Sequence, residues 1–280
     1  MPATPLPNTA VSLGGFLRDR RSRLQPEPGA PGRRRTPGLR REEVATRAGV
    51  SVTWYTWLEQ GRGGPPSTEV LERLSGALEL DSAAREVLFL LAQQRQPPVS
   101  WAPPSPVAPA LQRVLDALTT SPALVKTPVW DIVAWNAAAV AVMGDYGELP
   151  PRERNVLRRL FDDPALRARL PDWEENARFA LAVFRIDVAR AGDCPQAGAL
   201  AAELQATNAD FRRLWAENEV RSHGTGLKRF DHPVVGPFAL EFSVFTVNAA
   251  EGLEMIVFTP NMPVDVRAVQ QLMARRDQAA

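Results

Sequence analysis

Cysteine and histidine are almost absent from this sequence of 280 residues, Cys194, His223 and His232 being the whole supply. One thiol cannot form an internal disulfide framework, and so few thiolates and imidazoles leave no set from which a zinc cluster is built. No metal and no cofactor are expected. Lysine is nearly missing as well, since Lys126 and Lys228 are the only lysines among 33 lysine and arginine residues. Nothing approaches the roughly 18 uninterrupted apolar residues of a membrane span. The opening Met-Pro-Ala-Thr-Pro-Leu-Pro has no basic stretch leading into an apolar run. A cytoplasmic chain with no membrane partner is the expectation. Also lacking are a Gly-x-Ser-x-Gly elbow, a Gly-x-Gly-x-x-Gly turn, a Gly-x-x-x-x-Gly-Lys loop and a His-Glu-x-x-His helix. The run His223-Gly224-Thr225-Gly226 has no nucleophile motif to serve and reads as a turn before a strand. The expectation is a protein that is not an enzyme.

What is present is 45% hydrophobic residues in a chain long enough for about two separate cores. The net charge of +1 hides an asymmetry. Residues 13 to 62 hold eleven arginines against five acids, and such a basic block points to a polyanion. From Arg95 to Pro109 the chain is dense in proline, which fixes φ and removes backbone donors, so this stretch reads as a semi-rigid linker. The resulting division is a helical domain over residues 1–94, a linker over 95–109 and a mixed domain over 110–280.

In the first domain apolar residues recur at helical spacing in short blocks: Leu13, Phe16 and Leu17; Val44, Ala45 and Ala48; Tyr55 and Leu58; Leu71, Leu74 and Leu78; Leu88 and Leu91. The central stretch, Leu39 through Gly61, places an apolar-faced helix before Gly49 and a second after Ser51. Glycine permits the tight turn, and serine caps the helix that follows. So short a connection makes the helices cross steeply and projects the second toward a major groove. Tyr55 and Leu58 should face the core, leaving Val52, Thr53, Trp54, Thr56 and Trp57 outward beside the capping Ser51. Thr53 and Trp54 are then expected at base edges, while Arg33, Arg34, Arg35, Arg40, Arg41 and Arg62 surround them as mainly phosphate contacts. The same spacing also fits an ordinary helical hairpin with its tryptophans in the core.

The run "ATRAGVSVTWYTWLEQGR" resembles the helix-turn-helix of the Xre and phage-repressor class. More narrowly, "LGGFLRDRRSRLQPE", "GRRRTPGLRREEVATRAGVS" and "YTWLEQGR" resemble the MmyB-like regulators, including their arginine-rich insertion between the first two helices. The resemblance implies an all-α, five-helix, phage-repressor-like domain bound to a double-stranded DNA operator. Members of that group usually present an arginine where this chain has Trp57.

Beyond the linker, Leu124 to Trp135 reads as a strand hairpin and Asn136 to Met143 as a short helix. Helices dominate from Arg152 to Glu219, with Asp172 placed to cap one of them. Strands return at Leu227–Phe230, Phe238–Val247 and Leu253–Phe258, and a helix closes the chain from Val264. The alternation sets Phe238, Leu240, Phe242, Val244 and Thr246 on one face. The stretches "KTPVWDIVAWNAAAVAVMGDY", "LPDWEENARF" and "FRRLWAENEVRSHGTGLKRFDHPVVG" continue the MmyB-like resemblance. It implies an α+β, PAS-like domain with an antiparallel sheet, binding a small amphipathic ligand of the fatty-acid kind. Trp130, Trp135, Phe179, Trp215 and Phe230 are the candidate pocket aromatics. Asn136 is either a ligand contact or a helix cap. Arg178, His223 and Lys228 are candidate partners for a carboxylate, with His223 and Lys228 favoured by their place near a strand start. The whole reads as a homodimeric repressor whose operator binding a ligand modulates. The alternative is a regulator whose second domain only dimerises or recruits a protein.

Overall fold

A computed structural model describes residues 12–25, 38–95, 97, 106–191, 194–219, 224–248 and 252–279. The chain divides into two compact units, Met1–Pro97 and Pro98–Ala280. Arg33, Arg34, Arg35 and His223 lie outside the described residues.

Among the described residues the regular elements of the first unit are all helices: α1 (Leu13–Arg23), α2 (Arg41–Ala48), α3 (Val52–Glu59), α4 (Thr68–Ala77) and α5 (Ser82–Gln93). Four of these starts share one device. Ser12, Ser51, Ser67 and Asp81 sit in extended conformation, and each side-chain oxygen accepts the N–H three residues on. Such caps satisfy backbone donors that no earlier turn can reach. The apolar faces meet in one core in which Leu17, Val44, Ala45, Tyr55, Leu71, Leu74 and Leu88 are fully enclosed. Gly14 lets α1 press onto the end of α3, where a Cβ would stand 2.2 Å from the Glu59 carbonyl oxygen.

The second unit begins with α6 (Pro109–Ala117), the hairpin β1 (Ala123–Lys126) and β2 (Ile132–Trp135), and α7 (Ala137–Met143). A helical stretch follows as α8 (Val156–Asp162), α9 (Pro164–Ala168), α10 (Trp173–Ala191), α11 (Pro195–Thr207) and α12 (Ala209–Ala216). The chain then returns as β3 (Gly226–His232), β4 (Gly236–Asn248), β5 (Leu253–Pro260) and α13 (Pro263–Ala279). The five strands form one sheet in the order β2-β1-β5-β4-β3, antiparallel at every pairing.

Register assigns the two faces. Leu124 stands opposite Ile256, which stands opposite Val244, and Lys228 pairs with Leu240. Directly opposed residues share a face, and the face alternates along each strand. Leu124, Lys126, Val244, Phe242, Ile256, Phe258, Lys228 and Phe230 therefore point one way, toward α7, α8 and α10. On the opposite face α6 packs Leu115 over Ala123, Val125, Ala134 and Val257. The Asp172 carboxylate, expected as a helix cap, pairs instead with Arg229 on β3 at 2.9 Å.

Candidate nucleic-acid interface and candidate ligand cavity

In the first unit α2 stops because Gly49 takes a left-handed conformation, φ 63°, in which its N–H returns to the Ala45 and Thr46 carbonyls. A side chain at that φ would be strained. Two residues later Ser51 accepts from the Trp54 N–H at 3.1 Å and α3 begins. One face of α3 is core, with Tyr55 fully buried and Leu58 nearly so. Opposite lies an exposed strip containing Ser51, Val52, Thr53 and Trp57, the indole of Trp57 being 51% exposed. Thr56 is half-buried at its edge.

The elements are locked by a buried carboxylate. Glu59, at the end of α3, accepts from Arg21 of α1 at 2.6 Å and from Arg41 of α2 at 2.7 Å, while Arg21 also donates to the Leu39 carbonyl at 2.7 Å. Burial pushes the Glu59 carboxyl up, but hydrogen bonds and charge from Arg21 and Arg41 outweigh it and hold it below the usual carboxylate range. The arrangement fixes the angle at which α3 leaves α2 and so presents the exposed strip as a rigid surface.

In the second unit the sheet face and the helices do not close completely. Between them lies a cavity of about 120 Å³. Helix α10 contributes Asn176, Phe179, Ala180 and Val183, one stripe at helical spacing; the strands contribute Phe230, Phe242, Val244, Ile256 and Phe258. Trp130, in the β1–β2 turn, is held at φ 67°, a conformation few non-glycine residues adopt. Tertiary contacts impose it: the indole N–H donates to Asp187 at 2.8 Å and the ring meets Phe184 edge-on at 5.5 Å.

Polar groups on this wall are few. Lys126 donates to Asp187 at 3.1 Å and to Glu254 at 2.7 Å. The Tyr146 hydroxyl touches the Met143 sulfur at 3.4 Å, and burial pushes its pKa up to about 12. Arg159 pairs with Asp163 and donates to the Met143 carbonyl at 2.7 Å, yet its buried Nε–H meets no acceptor. Lys228 has neither a hydrogen bond nor an ion pair among the described residues; its ammonium lies 5.8 Å from the centre of the Phe258 ring. Burial pushes its pKa down to about 8. A donor-bearing, otherwise apolar hollow suits a molecule with an apolar body and an electron-rich end.

Residues 107–272 match the family model described as the MmyB-like transcription regulator ligand binding domain, more than half of the chain. The chain belongs to the MmyB-like transcription regulators. Residues 12–88 match a helix-turn-helix domain, so this MmyB-like regulator joins a DNA-binding unit to a ligand-binding one. A comparison with curated proteins returned no match. Among the described residues no helix of this MmyB-like regulator is long and apolar enough to cross a membrane, and no group of three His, Cys, Asp or Glu side chains could hold a metal.

The residues expected at DNA separate into groups. Arg40 and Arg62 are exposed beside the strip, but Arg41 is tied to Glu59, so its guanidinium stabilises the fold before it can meet a phosphate. Trp54, expected outward, is half-buried against the core. Of the residues expected at the ligand, Trp130, Phe179, Lys228 and Phe230 line the cavity. Asn136 is buried and spent: its oxygen accepts from Ala139 and Ala123, and its amide donates to Leu115, Leu118 and Ser121. It is a cap and a structural pin, which corrects its assignment to the ligand. Arg178 is likewise corrected, being held by Glu174 at 3.0 Å and Glu217 at 2.8 Å. Trp215 stacks on Phe211 under Arg185, and Trp135 packs on Tyr146 under Arg154; both indoles serve packing, away from the cavity wall.

Lys126, Tyr146, Arg159 and, of the α10 stripe, Asn176, Ala180 and Val183 were missed. The stripe carries a signal at i, i+3, i+4 and i+7 from Asn176, and Lys126 is a lone cation inside an apolar strand. For Tyr146 and Arg159 local sequence holds no sign, because their place depends on how α8 docks.

Proposed function

We propose that this regulator is a homodimeric repressor that binds a double-stranded operator through the exposed strip of α3, and that an amphipathic, fatty-acid-like molecule in the cavity modulates that binding. Thr53 and Trp57 would meet base edges and Arg40 and Arg62 phosphates, with Arg33, Arg34 and Arg35 as further phosphate contacts. The observation that carries the ligand reading is the unpartnered Lys228 on an apolar wall that also holds the buried Arg159 Nε–H. A buried donor without an acceptor is costly, and a carboxylate or other acceptor from a ligand would satisfy it. Half-sites on one face of DNA lie about 34 Å apart, so a ligand that alters the spacing of two paired domains alters affinity.

Titrating the full-length protein with octanoate and longer fatty acids, with native mass spectrometry for occupancy and operator binding for response, tests this. Occupancy of one molecule per chain and a shifted operator affinity are expected, both weakened in Lys228→Met. Absence of occupancy in the unaltered protein, or an operator affinity indifferent to an occupied cavity, overturns it. The reading in which the second unit only dimerises or recruits a protein draws on Leu227 and Phe245, 55% and 50% exposed on the sheet face opposite the cavity. A full operator response without any occupied cavity would favour it.

A further inference from the structure

The distribution of lysine in this chain is uneven in a way that charge alone does not explain. Arginine supplies nearly every cation of the protein, and the only two lysines, Lys126 and Lys228, both stand on the wall of the same cavity. If a cavity cation served only to hold an anion, arginine would do it better, with a planar fork of donors. Lysine does one thing that arginine cannot: deprotonated, it is a nucleophilic amine.

The two lysines are in different states. Lys126 is held between Asp187 at 3.1 Å and Glu254 at 2.7 Å, so its nitrogen is engaged by two carboxylates. Lys228 has no partner among the described residues, and none of the described residues lining the cavity is an Asp or a Glu. The other titratable groups on the wall are Lys126, Tyr146 and Arg159, none of which stabilises a second positive charge. We propose that Lys228 is a covalent site for carbonyl compounds: its amine condenses with the aldehyde of an aliphatic molecule whose chain fills the cavity.

The step balances without an oxidant or reductant. The nitrogen lone pair attacks the carbonyl carbon, giving a carbinolamine. The carbonyl oxygen then leaves as water with the two amine hydrogens, and a carbon–nitrogen double bond remains. Reversal by water makes the adduct a reversible one, as a sensor requires. Desolvation is a recognised way of activating such a lysine. With a pKa of about 8, roughly a tenth of the Lys228 side chains would be free amine at neutral pH, against fewer than one in a thousand for a solvated lysine.

This inference rests on the reading that the cavity takes an apolar chain, and the experiment separates the two. Full-length protein is incubated with octanal, octanoate or octanol, reduced with borohydride, and examined by intact mass and peptide mapping, with native mass spectrometry before reduction. The expected result is one octyl group added after octanal, mapped to Lys228, faster at pH 9 than at pH 6, and absent after octanoate or octanol. Lys228→Arg, which keeps the charge, should abolish the adduct. Octanal that competes with octanoate for the cavity yet leaves Lys228 unmodified after reduction overturns the covalent inference alone. Labelling confined to the α-amino group of Met1 also overturns it. Failure of all three probes to occupy the cavity overturns the cavity reading with it. Because mapping is done on the unaltered protein, the result stands even if the arginine variant folds poorly.

Discussion

The two units solve opposite problems with similar residues. In the first, Leu17, Val44, Ala45 and Tyr55 are completely enclosed and the charge of Glu59 is matched by two arginines, so the core leaves no room for a guest, although the Tyr55 hydroxyl and Arg20 Nε are buried without a hydrogen-bond partner. In the second, aromatic and aliphatic side chains of α10 and the sheet leave space between them, and Lys228 faces that space unmatched. On the proposed reading one unit recognises with its exterior and the other with its interior. The lesson is that an unpaired cation is informative only where the fold would otherwise have paired it: Arg62 in solvent needs no partner, while Lys228, half-buried on the cavity wall, has none among the described residues.

Removing the match in the first unit should break the comparison most forcefully. Glu59→Gln leaves Arg21 buried with its charge uncompensated, a loss of about 3–5 kcal/mol, which lowers the unfolding transition of the helical unit while the second keeps its own. Calorimetry of the full chain should show one transition lowered and one unmoved. The acid response carries the same sign. A carboxyl held below its ordinary range contributes stability above that range, and the contribution disappears as pH falls through the folded value. The first unit should therefore weaken on acidification below about pH 4.5, and the Gln variant should lose that dependence. If it keeps it, Glu59 is not the group responsible.

The second prediction contrasts filled with unfilled space. Ala45 is fully enclosed, so Ala45→Leu overpacks a finished core and should cost about 1–3 kcal/mol. Ala180 stands on the cavity wall, where the added atoms can enter the void. Ala180→Leu should cost less than Ala45→Leu, while octanoate occupancy falls. Equal costs from denaturant unfolding, or unchanged occupancy, would mean that the cavity is not the space a ligand uses.

The contrast also marks what a reader of the bare sequence can find. The turn from Gly49 to Ser51 was legible because backbone chemistry writes it into single residues: one must tolerate positive φ and one must cap. The sheet strands were legible from alternation, and β4 placed Phe242 and Val244 on their true face. Of the two readings of Asn136 the helix cap is the one found, but neither its further partners nor those of Arg178 were legible, because they come from elsewhere in the sequence. The carbonyls that saturate Asn136 belong to Leu115, Leu118 and Ser121, and Glu217 lies 39 positions beyond Arg178. Arg41 shows the same limit: a basic residue near a recognition helix looks like a phosphate contact until Glu59 is seen to hold it. Composition shows which groups are charged, whereas tertiary pairing decides which of them remain free to bind.

The smallest effect follows from that distinction. Arg62 is exposed and Arg41 is bonded to Glu59, although both flank α3. Arg62→Ala should leave stability within about 0.5 kcal/mol and reduce the slope of log affinity against log salt by about one unit, the signature of one lost phosphate contact. Arg41→Ala should do the reverse, lowering the unfolding transition of the first unit with little change in slope, because its guanidinium is engaged before DNA arrives. Fluorescence anisotropy with a labelled operator across a salt series, beside thermal unfolding of the same preparations, measures both. If Arg41→Ala changes the slope as much as Arg62→Ala does, its bond to Glu59 opens on binding, and the division between a finished interior and a recognising exterior would not hold at α3.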